Sequence, residues 1–108
     1  MARDSARDDL ERVQAAARGD ADLARSTAEQ SLNRARRLEE EALPSARRAY
    51  TALRLAFAQG AASALDLMDA RRALLAAELD VASARADAAK AQAQLAAALN
   101  MKDTKELP

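Results

Sequence analysis

The chain contains no cysteine and no histidine among its 108 residues. Without cysteine it forms no disulfide and offers no thiol nucleophile. Without either residue it lacks the ligands that zinc and copper prefer, and its serines have no histidine to activate them for catalysis. With only two glycines, the chain also has no glycine-rich loop that could hold a phosphate group. These absences predict a protein that is not an enzyme and has no cofactor, metal site or catalytic residue.

An excess of charge of either sign is also missing, because Lys+Arg and Asp+Glu number 17 each and the formal net charge is zero. A nucleic-acid-binding protein would show a basic surface, so no nucleic-acid partner is expected. Charged residues recur every few positions, so no apolar run is long enough to predict a membrane-spanning helix. The charged N-terminus lacks the apolar segment of a secretory signal, which predicts a cytoplasmic location if the chain is a separate product.

What the chain does contain is helix-forming sequence. Of its residues 50% are hydrophobic and only 2% are aromatic, and alanine is the commonest residue type. Alanine is the best helix former and a small core residue, so it favours long helices that pack closely together. With two glycines and two prolines, the chain has few places to turn. The composition therefore predicts a few long helices in one domain.

The C-terminal half has the more regular apolar pattern, which we call the seam. Its small and apolar residues recur in alternating steps of three and four, the heptad pattern of a helix packed along a partner helix. Alanine occupies every second position of the seam, which lets the partner approach closely. The seam residues are Leu67, Ala70, Leu74, Ala77, Val81, Ala84, Ala88, Ala91, Leu95 and Ala98.

The N-terminal half carries a similar stripe, whose steps average the period of an α-helix. Its residues are Leu10, Val13, Ala17, Ala21, Ala24, Ala28, Leu32, Ala35, Leu38, Ala42, Ala46, Tyr50, Leu53 and Phe57. Gly19 and Pro44 are the residues that could interrupt this helix. Because the stripe continues in phase across both, we expect bends there. The alternative is a chain reversal at each of them, which together with a reversal at Gly60 would give a four-helix bundle.

A turn is predicted between the two halves. Gly60 can adopt the left-handed conformation that ends a helix, and Ser63 with Asp66 three residues later forms a capping box that begins the next helix. The intervening residues 60–62 are few, so the two helices must lie antiparallel. The sequence therefore predicts an all-α fold, a long antiparallel helical hairpin with an alanine-rich seam.

The expected parts of this single hairpin region follow the chain in order. They are a helical extension at 4–18, beyond the open end of the hairpin, arm one at 20–59, the tip turn at 60–62, arm two at 63–99 and a flexible tail at 100–108. Because two alanine-rich helices bury little apolar surface, we expect the hairpin to self-associate or to bind a partner.

Residues 42–99 resemble the outer membrane factor family, the TolC-like exit ducts of Gram-negative efflux pumps. Members of this family typically show Leu-Pro, then an aromatic residue three positions before a glycine, and then a stretch of the form LDLLDAQRxLLxAELxLxxA. Leu43-Pro44, Phe57, Gly60 and the stretch LDLMDARRALL at 65–75 match this order and spacing. The Leu-Pro pair and the arginine- and alanine-rich arms are most similar to the branch that serves heavy-metal exporters of the cobalt, zinc and cadmium type.

The resemblance implies that the chain is the periplasmic hairpin of the second repeat and the C-terminal end of such a protein. It would be a passive exit-duct component of a tripartite RND-type pump for divalent heavy-metal cations, located in the outer membrane and periplasm. In the family, three chains assemble, their hairpins form a periplasmic α-barrel, and the hairpin tips meet a periplasmic adaptor protein that connects to the inner-membrane pump. Carried over to this sequence, adaptor docking falls at Gln59, Gly60 and Ala61, a pore constriction at Phe57, and helix packing along the seam.

Departures from the family pattern bear on these expectations. Ala61 and Ala62 stand where many members have a charged or bulky residue. The first repeat and the strands of the family are not present in the sequence, so we expect no membrane channel from this segment alone. The alternative function is a free-standing coiled-coil hairpin that serves as a soluble scaffold or adaptor and has no role in transport.

Overall fold

The computed structural model describes the backbone of residues 2–106 and the side chains of residues 2–103. Its elements are helix α1 at Ala2–Arg37, a π-helical turn at Leu38–Ala42, helix α2 at Leu43–Ala58 and helix α3 at Ala64–Glu106. Over residues 2–106 there is no strand, and helical structure is interrupted only between Ala58 and Ala64. Arm one consists of α1, the π turn and α2, and arm two is α3. The predicted all-α helical hairpin is thereby confirmed.

The chain divides into two compact units, each of which combines part of arm one with part of α3. The tip unit is Ser31–Asp87 and contains the turn. The open-end unit is Met1–Gln30 together with Ala88–Pro108. The two units differ in the side chains that they bury.

The core of the open-end unit is built from alanine. Ala17, Ala21 and Ala28 of α1 are buried, as are Ala88 and Ala91 of α3. Methyl groups in these positions fill the space between closely spaced helices, and burial of one methyl or methylene group stabilises a fold by about 0.8 kcal/mol. No polar side chain is buried anywhere within residues 2–103. The open-end unit therefore depends on many small contributions.

Larger side chains join alanine in the core of the tip unit. Leu43 and Val81 are buried beside Ala35 and Ala84. Half-buried side chains extend this core toward the turn; they include Ala46, Tyr50 and Leu53 of α2 and Leu67, Ala70, Leu74 and Ala77 of α3. The tip unit thus buries side chains of greater volume, and the free energy gained by burial rises with the apolar area removed from water.

Gly19 neither breaks nor ends a helix, contrary to the predicted boundary there. Helix α1 runs through it, and Ala17 on its N-terminal side is buried like Ala21 on the other side. Glycine inside a helix costs about 1 kcal/mol relative to alanine, which packing on both sides can offset. Residues 4–18 are therefore part of α1, and the hairpin includes at least Ala17. Leu10 and Val13, which the stripe included, are exposed at 54% and 44%.

Pro44 does not reverse the chain but follows a π-helical turn. Helix α2 begins immediately after that turn, with the Leu43 N–H donating to the Leu38 carbonyl five residues back. Proline has no N–H, and its ring collides with the carbonyl of the preceding turn, so a wider turn just before Pro44 gives the ring room. Because neither Gly19 nor Pro44 is a turn, the four-helix bundle alternative is wrong.

The π turn displaces the buried stripe of arm one by one residue beside the turn, and a similar displacement occurs at the end of α2. Ala35 and Leu43, eight positions apart, are both buried, whereas the predicted Ala42 is exposed. Farther along, Ala56 is half-buried and the predicted Phe57 is 45% exposed. A π turn takes up one extra residue, so the stripe stays on the same side of arm one although its residue numbers change. From the π turn onward, the predicted stripe is corrected at these two positions only, since its predicted members between them are half-buried.

The predicted flexible tail is helical over most of its length. Helix α3 continues through Asn100 to Glu106, and the remaining tail residues 107 and 108 lie outside the described residues. The segment 100–106 contains neither glycine nor proline, so nothing in it stops a helix whose first turns are already formed.

Candidate helix-packing surfaces and hairpin tip

The turn at the tip ends α2 by a Schellman motif. The Ala61 N–H donates to the Ala56 carbonyl at 2.8 Å, and the Gly60 N–H donates to the Phe57 carbonyl at 3.0 Å. Gly60 has a φ of 77°, the left-handed conformation that this motif requires at its C′ position and that favours glycine. The exposed carbonyls of the last helical turn are thus satisfied by the backbone of the turn itself.

A capping box begins α3 at the residues that the sequence indicates. The Asp66 N–H donates to Ser63 Oγ at 3.1 Å, and the Ser63 N–H donates to Asp66 Oδ2 at 3.3 Å. The Ser63 carbonyl then accepts the first helical hydrogen bond of α3 from the Leu67 N–H at 3.2 Å. Both helix ends at the tip are therefore fixed by local hydrogen bonds, which leaves residues 60–62 as the turn between them.

The residues proposed for adaptor docking lie at the surface of this turn. Gln59, Gly60 and Ala61 are all exposed, and a Cβ added at Gly60 would meet no atom within 4 Å. Phe57, proposed as a pore constriction, lies in the last turn of α2 and is 45% exposed. The turn is thus open to a partner, and its shape is set by the backbone rather than by side chains that a partner would displace.

The seam is the inward face of α3 in both units. Every seam residue from Leu67 to Ala84 is buried or half-buried in the tip unit, and every one from Ala88 to Ala98 is buried or half-buried in the open-end unit. These are the positions at which arm one packs against α3. An ion pair of Arg85 on α3 with Glu39 in the π turn also joins the two arms within the tip unit.

A second apolar stripe runs along the opposite side of α3, which we call the outer face. Its residues are Leu65, Met68, Arg72, Leu75, Leu79, Ala82, Ala86, Ala89, Ala93 and Ala96, and all of them are exposed. Leu65 and Leu79 are 63% and 71% exposed, although leucine is among the residues most often buried. Arg72 is the one polar residue in the stripe.

The outer face was not among the sequence predictions, although a signal for it exists. The steps between its residues alternate between three and four, as in the seam. The seam conceals this second pattern because a helix with apolar residues on two opposite sides has no strongly amphipathic profile. Starting the same count at Leu65 instead of Leu67 would have found it.

Helix α1 has no such second face. The side of α1 that lies opposite its buried alanines carries Asp22, Ser26, Glu29, Asn33 and Arg36, all exposed. Some of these charges pair along the helix, as Asp22 does with Arg25 at 3.8 Å. Each such exposed pair contributes at most about 1 kcal/mol to the free energy of unfolding and is typical of a solvent-exposed surface.

Metal-ligating side chains do not cluster among the described residues. No group of three or more His, Cys, Asp or Glu side chains among them could hold a metal ion. A shallow groove of about 250 Å³ in the open-end unit is lined by Ala17, Asp20, Gln94, Ala97, Ala98 and Met101. Among the described helices none is long and apolar enough to cross a membrane.

Comparisons with protein-family models, with curated proteins and with solved structures give no match to this chain. The basis for proposing a function is therefore the geometry of the tip, the seam and the outer face, together with the resemblance in residues 42–99.

Proposed function

We propose that this chain is the periplasmic helical-hairpin portion of an outer membrane efflux protein, where it forms part of the wall of a passive exit duct in a tripartite RND-type pump. The observation that carries this proposal is that α3 has apolar residues on two opposite sides and uses only one of them within the chain. A helix in the wall of a duct lies between two neighbouring helices, so it needs two such sides. In the complete pump, the outer face would meet a helix of another hairpin.

The tip supports the adaptor-docking part of the proposal. Gln59, Gly60 and Ala61 are exposed and lie at the one turn between the arms. The Schellman motif and the capping box hold the turn in one conformation, so a partner would bind a surface that is already formed. Phe57, which is exposed one turn before Gly60, would line a constriction in an assembly where neighbouring hairpins surround it.

The cargo would pass without being bound by this segment. We propose divalent heavy-metal cations as the cargo, on the basis of the branch that the sequence resembles. Histidine and cysteine, the side chains that bind such ions most tightly, do not occur in the sequence. Choice of the metal ion would then be made elsewhere in the pump.

Binding to an adaptor tests this proposal directly. The full chain is titrated with the purified hairpin domain of a periplasmic adaptor from a heavy-metal efflux pump, and binding is measured by calorimetry. We expect binding by the wild type, loss of binding by Ala61→Arg at the tip, and unchanged binding by Ala52→Arg, which places the same charge at an exposed position of α2. Absence of wild-type binding, or equal effects of the two variants, would overturn adaptor docking.

A free-standing coiled-coil scaffold is the second candidate, and the seam supports it. At the tip, the hydrogen-bonding groups of the helix ends are satisfied within the chain, and arm one covers the seam. The hairpin can therefore fold without a surrounding duct. Fractionation of cells that express the tagged native gene separates the two functions. Recovery with the cell envelope supports the duct component, and recovery in the cytosol supports the scaffold.

A further inference from the structure

The outer face of α3 changes in character along its length. Its large side chains, Leu65, Met68, Arg72, Leu75 and Leu79, all come first, and its remaining members up to Ala96 are all alanine. A helix that packs well on this face must have small side chains opposite the large residues and large side chains opposite the alanines. The outer face of a second α3 that runs in the opposite direction has this order of side-chain sizes.

A second copy of α3 running antiparallel matches the face layer by layer. With the two-fold axis between Leu79 and Ala82, each large residue lies opposite an alanine of the other copy. The layers are Leu79 with Ala82, Leu75 with Ala86, Arg72 with Ala89, Met68 with Ala93 and Leu65 with Ala96. A parallel pair would instead place leucine against leucine at one end and leave a gap between alanines at the other, and such gaps are destabilising.

The charges beside the outer face select the same register. The residues that flank the outer face form two rows, one on each side of it. In an antiparallel pair of helices, each row lies opposite the same row of the second copy. In this register Glu78 lies opposite Arg85 of the second copy, and Asp69 lies opposite Lys90. The remaining flanking pairs, Arg71 with Gln92 and Ala76 with Ser83, contain no like charges.

Registers shifted by one heptad bring like charges together. A shift toward the tip places Arg71 opposite Arg85 and Glu78 opposite Glu78 of the second copy. A shift in the other direction places Arg85 opposite Arg85. Like charges that face each other are unfavourable, so size and charge both favour the one register.

We propose that the outer face of α3 binds the outer face of a second copy of this chain, antiparallel and with its two-fold axis between Leu79 and Ala82. Glu78 and Arg85, and Asp69 and Lys90, pair across this contact. Arg85 can retain its ion pair with Glu39 in its own chain, because a guanidinium group has five N–H donors. Asp69, which also pairs with Arg72 along the helix, lies at the edge of the contact.

This contact does not depend on the transport function. The pair points its tips in opposite directions, whereas a duct requires all tips to point the same way. Both contacts use the outer face, so one α3 cannot make them at the same time. The antiparallel pair is the association expected of this 108-residue chain alone.

Sedimentation equilibrium of the full chain tests the pairing. We expect a monomer–dimer equilibrium for the wild type, and a monomer for Leu75→Glu at the same concentrations. Leu23→Glu is the matched control, because Leu23 is 68% exposed on α1 and lies outside the contact. Circular dichroism must show equal helix content in all three proteins. A monomeric wild type, or equal effects of the two substitutions, would overturn the proposal.

Charge reversal at the edge keeps the test independent of any loss of folding. Asp69→Lys should raise the dimer dissociation constant by about tenfold, since it replaces an attractive pair by a repulsive one at two symmetric places. The double variant Asp69→Lys with Lys90→Asp should restore wild-type affinity. If the second change deepens the loss instead, Asp69 and Lys90 do not face each other.

Distances between spin labels distinguish an antiparallel from a parallel pair of α3 helices. The chain has no cysteine, so Ala61→Cys and Ser83→Cys each carry a single label. From the helical rise, the antiparallel register predicts roughly 60 Å between tip labels and under about 20 Å between labels at position 83. A short distance between tip labels indicates a parallel pair and contradicts the proposal. Adaptor binding is measured separately, so failure of the pairing leaves the duct proposal unaffected.

Discussion

Both arms of the hairpin are long and rich in alanine, yet they differ in the number of apolar sides that can pack against another helix. Arm one has one buried stripe, the outer side of its helix α1 is charged, and a π turn keeps the stripe facing α3. Helix α3 keeps an unbroken heptad pattern on its seam and a second one on its outer face. Helix α3 therefore has an exposed apolar side that α1 does not have.

A glutamate should destabilise the hairpin far more in the seam than on the outer face of α3. Ala84→Glu places a carboxylate at a position that is 1% exposed and should destabilise the hairpin by about 3 kcal/mol or more. Ala86→Glu makes the same change at an exposed position of the outer face. It should leave the monomer folded while preventing dimer formation. Thermal unfolding at low concentration measures the stability of both variants, and sedimentation equilibrium measures dimer formation. Comparable losses of stability would contradict the assignment of the two faces.

A deletion tests whether the π turn is what keeps arm one in phase. Removal of Glu40 lets the turn become α-helical and leaves Ala35 and Leu43 one heptad apart, so the stripe stays continuous. Removal of Asn33 instead rotates the preceding stripe by about 100° relative to the rest and should cost about 3 kcal/mol. In urea titrations, the Glu40 deletion should therefore be the less destabilising. The opposite order would mean that the π turn has another origin.

The two glycines should respond to alanine in opposite directions. Gly60→Ala forces a side chain into a φ of 77° and should destabilise the hairpin by about 1–2 kcal/mol. Gly19→Ala lies within α1, where an added Cβ meets no atom within 4 Å, and should stabilise it by about 0.5–1 kcal/mol. Urea unfolding monitored by circular dichroism measures both signs. A stabilising Gly60→Ala would show that the turn does not have the left-handed conformation.

The smallest effect concerns the start of α3. Ser63→Ala removes the side-chain oxygen that accepts from the Asp66 N–H and should cost about 1 kcal/mol. Ser83→Ala, at an exposed position inside the same helix, should be neutral or slightly stabilising, since alanine is the better helix former. Equal losses for the two variants would show that the capping box does not contribute to the start of the helix.

The parts of the fold that local rules determine were predictable from the sequence. The seam, the helix stop at Gly60 and the helix start at Ser63 each depend on residues within a few positions of one another. The shift from Ala42 to Leu43 was not predictable by counting, because a π turn responds to Pro44 and to the need to keep packing against α3. The helix through Gly19 likewise reflects packing, which offsets an unfavourable local preference.

The candidate sites were predictable to different degrees. The tip residues follow from the turn signals, so their exposure was expected. The exposure of the outer face does not follow from the sequence, because α3 has apolar residues on two sides and both patterns suggest a core. Packing against arm one decides which side is covered.

Arm one covers one apolar side of α3, and we propose that only a second helix covers the other. Labelling rates of single thiols test it, because the chain has no cysteine of its own. At low concentration, Ala84→Cys should react slowly and Ala86→Cys at the rate of a free thiol. Raising the protein concentration should slow the reaction of Ala86→Cys and leave that of Ala84→Cys unchanged. If Ala86→Cys reacts at the same rate at all concentrations, or if Ala84→Cys reacts as fast as a free thiol, the claim is wrong.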